Sequence, residues 1–146
     1  MKGNLYVARR AAIATLFCLA LAPAAAFAQD PRAATVQKVA REWVALADKV
    51  DAAATWNAAA PRFRQAITAA SWADSLQKAR GSRGELVQRA VVATTFASSF
   101  PGLPDNGTYA LIRFRTSFSN HANGGEDVTL EMGPDAVWRV VGYLIR

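Results

Sequence analysis

The sequence predicts an α+β domain in which N-terminal helices pack on a curved four-stranded antiparallel meander. Three observations lead there. From Asp30 to Arg80 apolar residues recur at steps of three and four, the helical period. After Gly84 the period drops to two, in runs rich in Val, Thr and aromatic residues. Short turns join those runs, which suits antiparallel neighbours, and helices segregated from strands in this order cover one face of a sheet.

Asp30-Pro31 opens the first helix, with Asp as the N-cap and Pro at the first helical position. Val36, Val39, Ala40, Trp43, Val44, Ala47 and Val50 draw one apolar stripe, and Lys38, Arg41, Glu42, Asp48 and Lys49 fall mostly off it. Asp51 caps a short second helix reaching Trp56. Pro61 marks the next boundary, followed by a helical piece over Arg62–Ala69. Ser71-Trp72-Ala73-Asp74 has the spacing of a capping box and starts a helix to Arg80, where Gly81 can take the left-handed C-terminal conformation.

In the strand half, Glu85–Phe96 places Leu86, Ala90, Val92 and Phe96 on one side. A polar connector, Ser98–Asn106, carries two prolines. Thr108–Phe118 turns Ala110, Ile112, Phe114 and Phe118 one way and Tyr109, Arg113, Arg115 and Ser117 the other. Ser119–Gly125 reads as a Gly- and Asn-rich hairpin connection with Glu126 and Asp127 at its mouth. Asp127–Met132 is a short strand, Gly133-Pro134-Asp135 a tight turn, and Trp138–Ile145 the last strand.

The start of the chain has the three-part logic of a secretory signal. Lys2, Arg9 and Arg10 supply positive charge, Ala11–Ala22 is an uncharged apolar run, and Pro23 with Ala26-Phe27-Ala28 forms a cleavage site. Pro23 interrupts the run that a membrane anchor would need, and bulky Phe17 ahead of Cys18 fits a lipidation site poorly. Residues 1–28 are therefore expected to be a cleaved signal and residues 29–146 a single exported domain, periplasmic or secreted, with no stable membrane anchor after cleavage. Cutting there removes the only cysteine, hence any thiolate metal site or cysteine nucleophile, and lowers the net charge from +6 to +3. The remaining arginines are scattered rather than clustered with aromatics, which excludes nucleic acid as the expected partner.

Several motifs resemble a bacterial family known as domain of unknown function 4019. They are Arg41-Glu-Trp43-Val-Ala-Leu-Ala-Asp48, Thr55-Trp56, the Trp72 helix ending near Arg80-Gly81, and Arg89. The match continues through Pro101-Gly-Leu-Pro104-Asp-Asn-Gly-Thr-Tyr109, Arg115-Thr-Ser-Phe118, Glu126-Asp-Val-Thr-Leu130 and Trp138-Arg-Val-Val-Gly-Tyr143. The order of elements and the closing Trp strand are also similar to the cone-like superfamily of nuclear-transport-factor-2-like and ketosteroid-isomerase-like (cystatin-like) proteins. That resemblance implies a cone-like fold with a pocket between helices and sheet, holding a carboxylate or a Tyr in its enzymes.

Chemistry-bearing patterns are sparse. His121 is the one histidine, in a glycine-rich connection, so neither a multi-histidine metal site nor a base-partnered nucleophile can be assembled. No nucleophile elbow, phosphate loop or dinucleotide fingerprint occurs, and Asp48 and Asp51 are explained by a helix end and a cap. No catalytic residue, metal ligand or cofactor is assigned. Arg113 and Arg115 share one strand face, where they look at solvent or, if that face lines a cavity, clamp a carboxylate or phosphate. With Trp56, the least constrained tryptophan, and Tyr143 they form the candidate ligand-binding set.

The expectation is a non-catalytic exported module that binds a small molecule or a protein. The alternatives are an isomerase- or cyclase-like enzyme using a buried carboxylate with Tyr109 or Tyr143, and a homodimeric structural subunit. A carboxylate within reach of a Tyr inside a pocket favours the enzyme, an apolar sheet face left uncovered favours the dimer, and a filled core with all four tryptophans packed disfavours both pocket readings.

Overall fold

The computed structural model describes residues 30–146. The expected signal, its cleavage site and Cys18 lie outside the described residues. Four helices precede four strands: α1 Arg32–Asp48, α2 Ala52–Ala58, α3 Pro61–Ala66 and α4 Ala69–Arg80, then β1 Leu86–Ala97, β2 Tyr109–Phe118, β3 His121–Met132 and β4 Trp138–Ile145. The strands pair in sequence order, every pair antiparallel. This is the α+β arrangement read from the sequence, with helices on one face of a four-stranded meander.

The helical stripe forms as its spacing dictates: Val36, Ala40, Trp43, Val44 and Ala47 of α1 are all buried. Pro31 rather than Asp30 holds the N-cap position of α1, and Asp30, one residue earlier, accepts the Arg32 backbone N–H at 2.9 Å; Asp51 accepts that of Ala54 at 2.9 Å as the cap of α2. The α4 start differs from expectation. Thr68 caps it by accepting the Ser71 N–H at 3.2 Å, so Ser71 lies inside the helix rather than at its cap. Gly81 has φ −59°, not a left-handed value; the positive φ falls at Gly84, where a Cβ would collide with the Ser119 hydroxyl. Between α1 and α2, Val50 holds φ 55°, an unusual conformation for a β-branched residue.

Two sheet details also depart from the alternating pattern. Register shifts between Leu86 and Gln88 and between Val91 and Ala93 break the parity of β1. Val92 is therefore exposed and Ala90 stands opposite Arg115, while Arg89, Val91 and Phe96 turn toward the helices. Strand β3 begins at His121, so most of the expected loop is strand. Gly124 stands opposite Thr116, where a Cβ would approach the Thr116 and Arg146 carbonyl oxygens to 3.0 and 3.1 Å. Gly125 exchanges two backbone hydrogen bonds with Arg146. Glycine here permits close strands rather than a turn.

The core fills the space between layers: Phe63, Trp72 and Leu76 from the helices meet Ile112, Phe114, Val128, Leu130, Trp138 and Val140 from the sheet. The opposite sheet face is open except at one end. There the 98–108 connector crosses Tyr109, which is buried, with its hydroxyl donating to the Pro104 carbonyl at 3.0 Å and its ring edge-on to Phe100. Among the described residues no helix is long and apolar enough to cross a membrane.

Candidate functional site

Strand alternation puts Glu126, Val128 and Leu130 on the helix-facing side of β3. Glu126 is thus fully buried within a strand, not at a hairpin mouth. A buried carboxylate needs partners, and three donors supply them. Arg89 Nε and Thr116 Oγ1 each donate to Glu126 Oε2 at 2.6 Å, and the Tyr143 hydroxyl donates to Oε1 at 2.6 Å. The other edge of the Arg89 guanidinium grips Asp48 in a two-pronged pair, both bonds at 2.8 Å. Arg80 Nη2 adds a bond to Asp48 Oδ1 at 3.0 Å.

Asp48 is accordingly more than the end of α1. It joins α1 and α4 to β1, and Arg89 carries the connection on to β3 and β4. The ionic members are two arginines and two carboxylates, so the cluster is neutral. Burial opposes the charge on Arg89, but hydrogen bonds and attraction from Asp48 and Glu126 outweigh it and raise its pKa above the ordinary arginine value. Burial, with the Glu126 charge and hydrogen bond adding to it, raises the Tyr143 hydroxyl above its ordinary value. Arg80 is the loosest fit. Its guanidinium stacks 4.1 Å from the Phe118 ring centroid, while its Nε and Nη1 meet no acceptor among the described residues.

Aromatic packing closes the surroundings. Trp43 lies edge-on to Tyr143 at 5.1 Å and 5.9 Å from Trp72, which meets Phe63 at 5.0 Å. Trp43 donates to the Thr55 carbonyl and Trp72 to the Thr55 hydroxyl, at 3.0 and 2.8 Å. Trp56 packs against this core with its Nε1 donating to the Ile67 carbonyl at 3.2 Å, and Trp138 is buried. Of five surface grooves among the described residues, none is bordered by Glu126, Arg89, Arg80 or Asp48, while Tyr143 borders two.

Of the four residues singled out from sequence, Tyr143 alone joins this cluster. Arg113 and Arg115 lie on the open face, Arg113 donating to Asp127 at 3.2 Å, and Trp56 serves the helical layer. His121 is exposed at the first position of β3. Tyr109, the other candidate donor, is committed to Pro104. The open face carries its own groove of about 490 Å³, bordered by Phe100, Leu103, Leu111, Val141, Gly142 and Leu144 and closed at one end by Asp127. Sequence reasoning missed Glu126, Arg89, Asp48 and Arg80. The period-two relation of Glu126 to Val128 and Leu130 was the available signal for the first of them.

An α+β domain whose helices are fastened to a four-stranded meander by a buried, neutral ion cluster is what the fold and site define. Residues 39–143 match the family described as a protein of unknown function, DUF4019, and the chain belongs to that family. No curated protein and no solved structure matches it.

Proposed function

We propose that the chain is an exported, non-catalytic binding domain. The observation that carries this reading is Glu126: the one fully buried carboxylate of the described residues already accepts from Arg89, Thr116 and Tyr143. A general base must lie within reach of its substrate, and this carboxylate is fully buried and borders none of the grooves described above. Binding then falls to the outer surface, where a groove is open on the sheet. Export rests on the three-part signal pattern at the start of the chain.

Native mass spectrometry of the protein recovered from outside the cytoplasm tests the reading. The expected mass begins at or near Gln29, with a second, non-covalently held mass that is shed on activation. Intact Met1 in exported material overturns the export claim, and a bare chain or a dimer with no other component overturns the binding claim.

A second reading, an isomerase- or cyclase-like enzyme, draws on the 2.6 Å contact between Tyr143 and Glu126, an acid–base pair in hydrogen-bond reach. It requires the interior to open without global unfolding. Amide hydrogen exchange in β3 near Val128 separates the two, since exchange limited by global unfolding supports binding and faster, local opening supports catalysis.

A further inference from the structure

The open-face groove has an apolar body, and arginines outside its lining gather on Asp127 at one end. Leu111, Val141 and Leu144 present aliphatic surface to it, and Leu144 is 56% exposed. Phe100 and Leu103 of the connector raise one wall, anchored through the buried Tyr109. Gly142 leaves the floor without a side chain although a Cβ there would meet only Thr129, at an ordinary 3.5 Å. The groove is thus roomier than the backbone requires.

At the Asp127 end, charge is unbalanced. Arg113 and Arg146 both donate to the same oxygen, Asp127 Oδ1, at 3.2 and 2.8 Å. Arg115 stands one alternating position beyond Arg113, opposite Gly125, and makes no ion pair among the described residues. A Cβ at Gly125 would approach the Arg146 guanidinium to 3.3 Å, so this glycine gives that side chain room to lie over the strand. Two guanidinium groups therefore share one side-chain carboxylate and a third stands two residues along the same strand face, which leaves donors to spare for a planar anion.

We propose that the open face of the sheet binds a single-chain amphiphile, with its hydrocarbon body on Leu111, Val141, Gly142 and Leu144 and its carboxylate among Arg113, Arg115 and Arg146. The proposal rests on the binding reading above and names its ligand class. The volume falls within the range of small-molecule sites. The arginines are exposed, so they select the head group and the apolar floor supplies most of the affinity.

Titration calorimetry with sodium decanoate below its micelle concentration tests this, with decyl maltoside as the neutral-headed control. The expected result is one decanoate per chain, bound more tightly than the maltoside and less tightly as salt rises. Gly142→Val should weaken decanoate at least about tenfold by filling the floor, and Arg113→Ala or Arg146→Ala about threefold to tenfold each. Leu144→Glu, an exposed position, serves as a second groove variant if Gly142→Val does not fold by circular dichroism. No decanoate binding, or binding unchanged in a folded groove variant, overturns the proposal. So does sedimentation with phosphatidylglycerol vesicles by a protein that ignores free decanoate. Failure of this ligand class leaves the binding reading standing if the native protein carries another mass, whereas locally opening β3 amides defeat that reading whatever decanoate does.

Discussion

Tyr143 and Glu126, on neighbouring strands and 17 residues apart, are joined by a 2.6 Å hydrogen bond on the helix-facing side of the sheet. The tyrosine is the sole donor to Glu126 Oε1 among the described residues, because Arg89 and Thr116 both use Oε2. Tyr143→Phe removes a hydroxyl and leaves one oxygen of a buried carboxylate without a partner. The expected loss is about 1.5–3 kcal/mol of unfolding free energy, the usual range for a hydrogen bond to a charged group. Urea denaturation with an unchanged slope measures it.

Alkaline pH should reach the same bond. The raised Tyr143 pKa means the folded state keeps a proton that the unfolded chain releases above about pH 10. This contribution is fully present below that pH and declines as pH rises through it, by up to about 1.4 kcal/mol per pH unit. Tyr143→Phe should flatten that decline. Equal alkaline slopes in the two proteins would contradict the assignment.

Arg89 and Arg80 should respond differently to the same replacement. Arg89→Met strips partners from two carboxylates at once and should cost about 3–5 kcal/mol. Arg80→Met loses one 3.0 Å bond and the Phe118 stack but also removes two unpaired buried nitrogens, so its cost should stay within about 1 kcal/mol. Pairing Arg89→Met with Glu126→Leu should recover part of the loss, and a double-mutant cycle on chemical unfolding gives the coupling.

The start of α4 offers a smaller test. Thr68→Ala should cost about 1 kcal/mol by removing the acceptor for the Ser71 N–H, whereas Ser71→Ala should cost no more than a few tenths. Thermal melts of the two variants side by side reveal which residue caps the helix.

The contrast at α4 shows what the sequence could convey. Element type and order were legible because the shift from a period of three and four to a period of two comes from burial itself. Val36 through Ala47 and Ala110 through Phe118 fell where that periodicity puts them. Thr68 was hidden because Ser71 followed by Asp74 imitates the same capping pattern three residues later. The faces of β1 were hidden because its register shifts change parity without any marking residue, so Arg89 could not be aligned with Thr116 and Glu126. The start of β3 was hidden because its glycines allow close strands, and composition does not distinguish that from a turn. Tyr143 was visible as a polar aromatic in the last strand, yet its partner lay behind the misread start of β3.

Glu126 also acts as a gauge on strand alignment. The half of β3 that precedes it, His121-Ala-Asn-Gly-Gly, has little apolar bulk to prefer one pairing over another. Sliding β3 by a single residue would offer Asp127 to Arg89, a carboxylate one methylene shorter, and would turn Val128 and Leu130 toward water. Such a sheet would draw Thr116 and Tyr143 away from Glu126, the acceptor both now reach. The ion cluster thus penalises the neighbouring misalignment most heavily where the strand's own composition resists it least.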